Sequence, residues 1–109
     1  MVINNVPFAT VDWEQIKKER HEGESGHTDW KVQMFGDIRV RVVEYSPGYK
    51  ADHWCSKGHI LYCLKGEMTT ELNDGSRFIL REGMSYQVED KSFPHRSSTV
   101  DGATLFIVD

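Results

Sequence analysis

Ala51-Asp52-His53-Trp54-Cys55-Ser56-Lys57-Gly58-His59-Ile60-Leu61-Tyr62-Cys63-Leu64-Lys65-Gly66 is the stretch on which the reading of this chain turns. His53, Cys55 and His59 put two imidazoles and a thiol into one short span. Side chains alternate faces along a strand. Ala51, His53 and Cys55 would therefore share one side, with Asp52 and Trp54 on the other. His59, Leu61 and Cys63 likewise share a side, opposite Ile60, Tyr62 and Leu64. The spacing predicts strands at Tyr49–Cys55 and His59–Lys65, joined by a turn at Ser56-Lys57-Gly58. Such a hairpin sets Cys55 opposite His59 and His53 opposite Leu61, with facing β-carbons about 5 Å apart. The three donors can then converge, and imidazole with thiolate suits a borderline-soft divalent ion. The competing reading is structural: histidines bonded within a core, and a cysteine acting as a small hydrophobe.

Working outward, the pattern is β from Asp29 to the end. Trp30, Val32 and Met34 alternate with Lys31, Gln33 and Phe35. After a Gly36-Asp37 turn, Ile38, Val40 and Val42 alternate with Arg39, Arg41 and Val43, which puts both arginines on a solvated outer face. The alternative use for that pair is to meet a substrate carboxylate. Further strands read at Glu67–Leu72, Arg77–Leu80, Ser85–Val88, His95–Val100 and Ala103–Val108, with Asn73-Asp74-Gly75 as a hairpin signal. Nine or ten strands with turns every six to twelve residues predict an all-β barrel or sandwich of Greek-key or jelly-roll type. Ahead of them, Met1–Val6 reads as a short strand and Thr10–Arg20 as a short helix, with Trp13 and Ile16 on one stripe. His21–Thr28 reads as a polar loop whose two histidines, His21 and His27, are solvated.

Composition bounds the class. The chain has 109 residues, 39% hydrophobic and 28% charged, with a formal net charge of −4. One domain spanning 1–109 is expected, with residues 1–28 as an N-terminal strand, helix and loop and 29–109 as the barrel. The acidic balance argues against nucleic-acid and anionic-membrane partners. No apolar run approaches a membrane span, and the start does not read as a signal peptide, so a cytoplasmic protein is expected. Cys55 and Cys63 are then expected as thiols, Cys63 as core filler.

The central stretch resembles the first motif of the cupin superfamily, G-x5-H-x-H-x3-4-E-x6-G. Gly48, His53, Cys55, His59 and Gly66 fall on that frame with one residue missing after Gly48. Cys55 stands for the second histidine and His59 for the glutamate. The second motif, G-x5-P-x-G-x2-H-x3-N, is matched more loosely by Gly83, by Pro94 next to His95, and by Thr99 at the asparagine position. Asp52-His53-Trp54-Cys55 is also similar to the signature of small single-domain cupins described by a DHCW motif. The resemblance implies a conical jelly-roll barrel with a divalent metal inside, held by His53, Cys55, His59 and His95. Exchanging an imidazole for a thiolate, and the carboxylate for an imidazole, shifts the expected metal to zinc, with Fe(II) second. It further implies a small polar ligand inside the barrel, and a homodimer that covers apolar outer strands and Trp54.

Two functions follow. If Cys55 stays off the metal, three histidines leave open positions that could polarise a water or bind dioxygen, and the family resemblance alone implies a metal-dependent dioxygenase or isomerase. If all four ligate, a closed His3Cys site serves a structural or sensing role. Ser97 and Thr99 share a face with His95 and are candidates to meet water or ligand. Tyr62 and Tyr86 are candidate hydrogen-bond donors.

Overall fold

The structure is a computed structural model that describes residues 2–109. Eight strands run through these residues: β1 (Glu19–Glu22), β2 (His27–Phe35), β3 (Ile38–Tyr45), β4 (His59–Leu72), β5 (Arg77–Arg81), β6 (Ser85–Val88), β7 (His95–Ser98) and β8 (Ala103–Val108). Every pairing between them is antiparallel. β1, β2, β3, β8 and β4 lie side by side in that order. The first part of β4 pairs with β6, and its second part with β5 and β7. β4 therefore belongs to both walls, as a jelly roll requires.

What the sequence reads as two strands, His59–Lys65 and Glu67–Leu72, is one. The ladder to β8 shifts between Cys63 and Lys65. Bulges of this kind bend a strand without ending it. Gly66 sits beside the shift at φ +82°, and a β-carbon there would come within 2.4 Å of the Gly102 carbonyl. Only glycine lets the two chains approach so closely.

Apolar side chains from both walls meet between them. Leu61, Cys63 and Met68 of β4 pack with Val43, Leu105 and Ile107. Cys63 is fully buried, and both cysteines are free thiols, as expected.

Other sequence expectations fail. Thr10–Arg20 is not a helix: one 3-10 turn, Trp13–Gln15, is capped by Asp12, and Ile16 is already extended. A segment this short cannot repay helix nucleation by itself. Its second half pairs with the barrel, where β1 meets β2 and the Arg20 guanidinium grips Asp29 at 2.9 Å. Strand pairing thus begins at Glu19 rather than Asp29, and His21 stacks on Trp30 with centroids 4.1 Å apart. The strand expected at Met1–Val6 is absent over residues 2–6, and Met1 lies outside the described residues.

The hairpin expected from Tyr49–Cys55 to His59–Lys65 does not form either. Residues 50–55 run beside β7, with Lys50 opposite Ser98 and Cys55 opposite His95. Five steps on one chain there oppose three on the other, so the segment bows outward between the two bridges. Gly58 and Ser56 tie instead to the 89–91 loop, through Asp90 and the Lys91 amide.

The face of β3 is also reversed. Arg41 and Val43 point inward, while Val40 and Val42 lie on the partly covered outer side. Val43 enters the core, and Arg41 reaches Asp109 inside with one N–H, at 3.0 Å. Among the described residues, no helix is long and apolar enough to cross a membrane.

Candidate metal centre

His95 opens β7 directly opposite Cys55. The Cys55 amide donates to the His95 carbonyl at 2.8 Å, and the His95 amide returns a bond at 2.9 Å. The His95 residue is 3% exposed. Its Nδ1 lies 2.8 Å from the Phe93 carbonyl. A carbonyl only accepts, so Nδ1 carries the proton and Nε2 keeps its lone pair. That Nε2 is buried and makes no hydrogen bond of normal geometry. The Cys55 thiol is near enough for the two groups to shift each other. Hydrogen bonding to His95 pulls the thiol below its ordinary pKa, and the same contact raises His95.

His59 begins β4 and pairs with Val88 of β6. Its ring is buried, and Nε2 lies 2.8 Å from the Tyr86 hydroxyl on the same pair of strands. Nδ1 has no hydrogen-bond partner; its nearest anion, Asp109, stands 3.9 Å away. Burial first, then repulsion of its charged form by a charged His95 and by Arg41, brings the His59 pKa down to about 4. The ring is therefore neutral at pH 7, the form in which imidazole ligates. The His59 and His95 rings lie 4.9 Å apart, centroid to centroid.

His53 stands apart. The outward bow of residues 50–55 carries it to the rim, where its side chain is 73% exposed and Nδ1 rests 2.6 Å from Asp52. Sequence spacing places His53, Cys55 and His59 together. The fold instead brings Cys55 and His59 to His95 and leaves His53 at the mouth of the same cavity. Among the described residues, no three His, Cys, Asp or Glu side chains are arranged around a common point as an ion requires. The donor set nonetheless fits a divalent ion chemically. It contains two buried ring nitrogens without partners, beside a thiol of lowered pKa.

The cavity they share measures about 190 Å³ and is also lined by Trp30, Arg39, Arg41, Tyr45 and Tyr49. Ser97 lines it as expected. Thr99 does not: its hydroxyl donates to the Glu67 carbonyl at 2.6 Å. Tyr86 meets the site, whereas Tyr62 is exposed on the outer surface. Trp54 faces away, 41% exposed, with the Arg96 guanidinium 4.4 Å above its ring. The solvated face expected for Arg39 and Arg41 is thus corrected: both guanidinium groups stand over Trp30 and line the cavity. One sequence signal for this was available. Val43 and Tyr45 continue the arginine parity, but Val40 and Val42 support the opposite face equally well.

No family model and no curated protein matches the sequence. Solved structures do match. The polyketide cyclase RemF from Streptomyces resistomycificus superposes with a TM-score of 0.78 at 20% identity, covering 94% of this chain and 78% of that one. A predicted oxalate decarboxylase from Thermotoga maritima gives 0.75 at 16% identity, over 92% of this chain and 96% of the other. Fe(II)-HppE gives 0.77 at 16% identity, with 94% and 60% covered. A cupin-like protein from Thermotoga maritima is also similar, at 0.70 and 18% identity over 84% and 75%.

Proposed function

On a chain with the cupin fold, we propose that a divalent metal is held inside the barrel by Cys55, His59 and His95, and that a small polar molecule binds beside it. The observation that carries this reading is the pair of buried ring nitrogens, His59 Nδ1 and His95 Nε2, that make no hydrogen bond of normal geometry. Leaving such groups unsatisfied costs about 1–3 kcal/mol each, which a ligated ion removes. His53 would become a fourth donor only if its ring left Asp52 and turned inward from the rim. Mixed nitrogen and sulfur donors favour zinc, then Fe(II). Fe(II)-HppE, similar in fold, carries iron.

Bound there, the ion supplies Lewis acidity toward a ligand oxygen. The chain supplies the rest. The Phe93 carbonyl fixes the His95 tautomer, and Tyr86 orients His59. Burial raises the pKa of Tyr49 and Tyr86, so both remain phenols rather than bases, and the Tyr86 oxygen accepts from His59 Nε2–H, the tautomer that keeps the Nδ1 lone pair. The cavity beside the donors has room for a substrate, which favours an open, enzyme-type centre. With His53 ligated as well, the site closes into a non-catalytic His3Cys centre suited to sensing.

Zinc affinity of untagged protein, measured against a competing chelator, tests the assignment. His59→Ala, His95→Ala and Cys55→Ser should each weaken binding roughly tenfold or more, the range that even outer-shell partners carry. His53→Ala should weaken it less, and His21→Ala and His27→Ala not at all. Metal lost in the loop variants and retained in His95→Ala would overturn the reading.

A further inference from the structure

The cavity is cationic although the chain is acidic. Three arginines line it, Arg39, Arg41 and Arg96, and no aspartate or glutamate among the described residues does. Arg96 is answered outside the cavity by Glu71, at 2.8 Å from Nε and 2.7 Å from Nη2. Arg39 and Arg41 share a single counter-charge, Asp109. Arg39 takes that carboxylate with Nε and Nη2, both at 2.9 Å, and Arg41 reaches it with Nη2 alone, at 3.0 Å. Two guanidinium groups thus converge on one side-chain carboxylate.

Arg41 is 6% exposed, and its Nε is buried with no hydrogen-bond partner. Trp30, 4.4 Å below the guanidinium carbon, attracts the charge through its face but accepts no in-plane N–H bond. A buried, half-answered guanidinium is expensive. Burial, and then repulsion from Arg39, pulls its pKa below the ordinary arginine value. An anion in the cavity relieves both.

We propose that the small molecule held here is a carboxylic acid in its anionic form, with its carboxylate seated on Arg41 and Arg39. The flat two-oxygen group matches the guanidinium fork, as the Arg39–Asp109 pair already illustrates. The volume of about 190 Å³ is that of about six waters at about 30 Å³ each. That admits a small acid. The inference rests on the cavity assigned under the proposed function, but it does not require the metal.

Acetate, lactate and benzoate, each paired with its neutral amide, are titrated into chelator-treated and zinc-loaded full-length protein. Binding is followed by calorimetry and by the NMR signals of the arginine Nε–Hε groups, with the Arg41 signal assigned from Arg41→Lys. At least one acid should bind about tenfold or more tightly than its amide and move the Arg41 signal in the wild-type protein. Arg41→Gln should remove that preference, and Arg81→Gln, on the outer surface, should keep it. Arg41→Gln failing to fold leaves the wild-type NMR arm decisive. Acids that bind no better than amides, an unmoved Arg41 signal, or inorganic phosphate binding in preference to every acid overturns the proposal. Carboxylate binding by protein that takes up no zinc sinks the metal reading alone; zinc uptake without carboxylate binding sinks this one alone.

Discussion

His59 is the residue at which burial and charge act most plainly on chemistry. Unfolded, an imidazole titrates near 6.5; in the fold His59 titrates near 4. Between those values the unfolded chain binds a proton that the folded chain refuses. Acid therefore favours unfolding, and the contribution is whole above pH 6.5 and lost as the pH falls toward 4. The difference is about 3 kcal/mol. His95 acts with the opposite sign, because its raised pKa adds stability below its unfolded value. The comparison that isolates His59 is wild type against His59→Gln, both metal-free, by denaturant titration from pH 7 to pH 4. The stability advantage of wild type over the variant should shrink across that range. A constant difference would mean that the imidazole is not desolvated as described.

At the scale of elements, β4 shows what a sequence reveals and what it conceals. Alternation of Leu61 and Cys63 against Ile60 and Tyr62 was legible and correct. The bulge that carries β4 from one wall to the other was not, because no local pattern marks Leu64 as unpaired. Gly66 is the physical requirement there. Gly66→Ala should destabilise by more than about 2 kcal/mol, because it adds a clash with the Gly102 carbonyl to the left-handed strain of about 1–2 kcal/mol. Gly75→Ala, at φ +92° with open space around it, should cost the strain alone. Equal losses in thermal or denaturant melts would remove the close-approach argument.

The same limit explains the site. Residues 49–55 alternate like a strand, which predicts His53 and Cys55 on one face. The bow between Lys50 and Cys55 is set by where β7 ends, some forty residues downstream by the sequence count, and nothing local encodes it. His95 was identified through motif resemblance rather than through spacing. Arg39 and Arg41 were misplaced because β3 offers valines at both parities, and the deciding partner, Asp109, is distant in sequence.

For the whole molecule, the fold leaves Ile60, Tyr62 and Leu64 exposed in a row on the outer side of β4. A homodimer covering that row is the assembly we expect. In sedimentation experiments wild type should run as a dimer and Ile60→Glu/Leu64→Glu as a monomer with an unchanged β spectrum. A monomeric wild type would leave the row without that role.

The metal centre is the claim on which the functional account turns. X-ray absorption on untagged, zinc-supplemented protein measures it most directly. One zinc per chain with both nitrogen and sulfur neighbours is predicted, with the sulfur contribution lost in Cys55→Ser and zinc binding lost in His95→Ala. Protein that takes up no zinc, or zinc whose nitrogen and sulfur neighbours survive both substitutions, would contradict it.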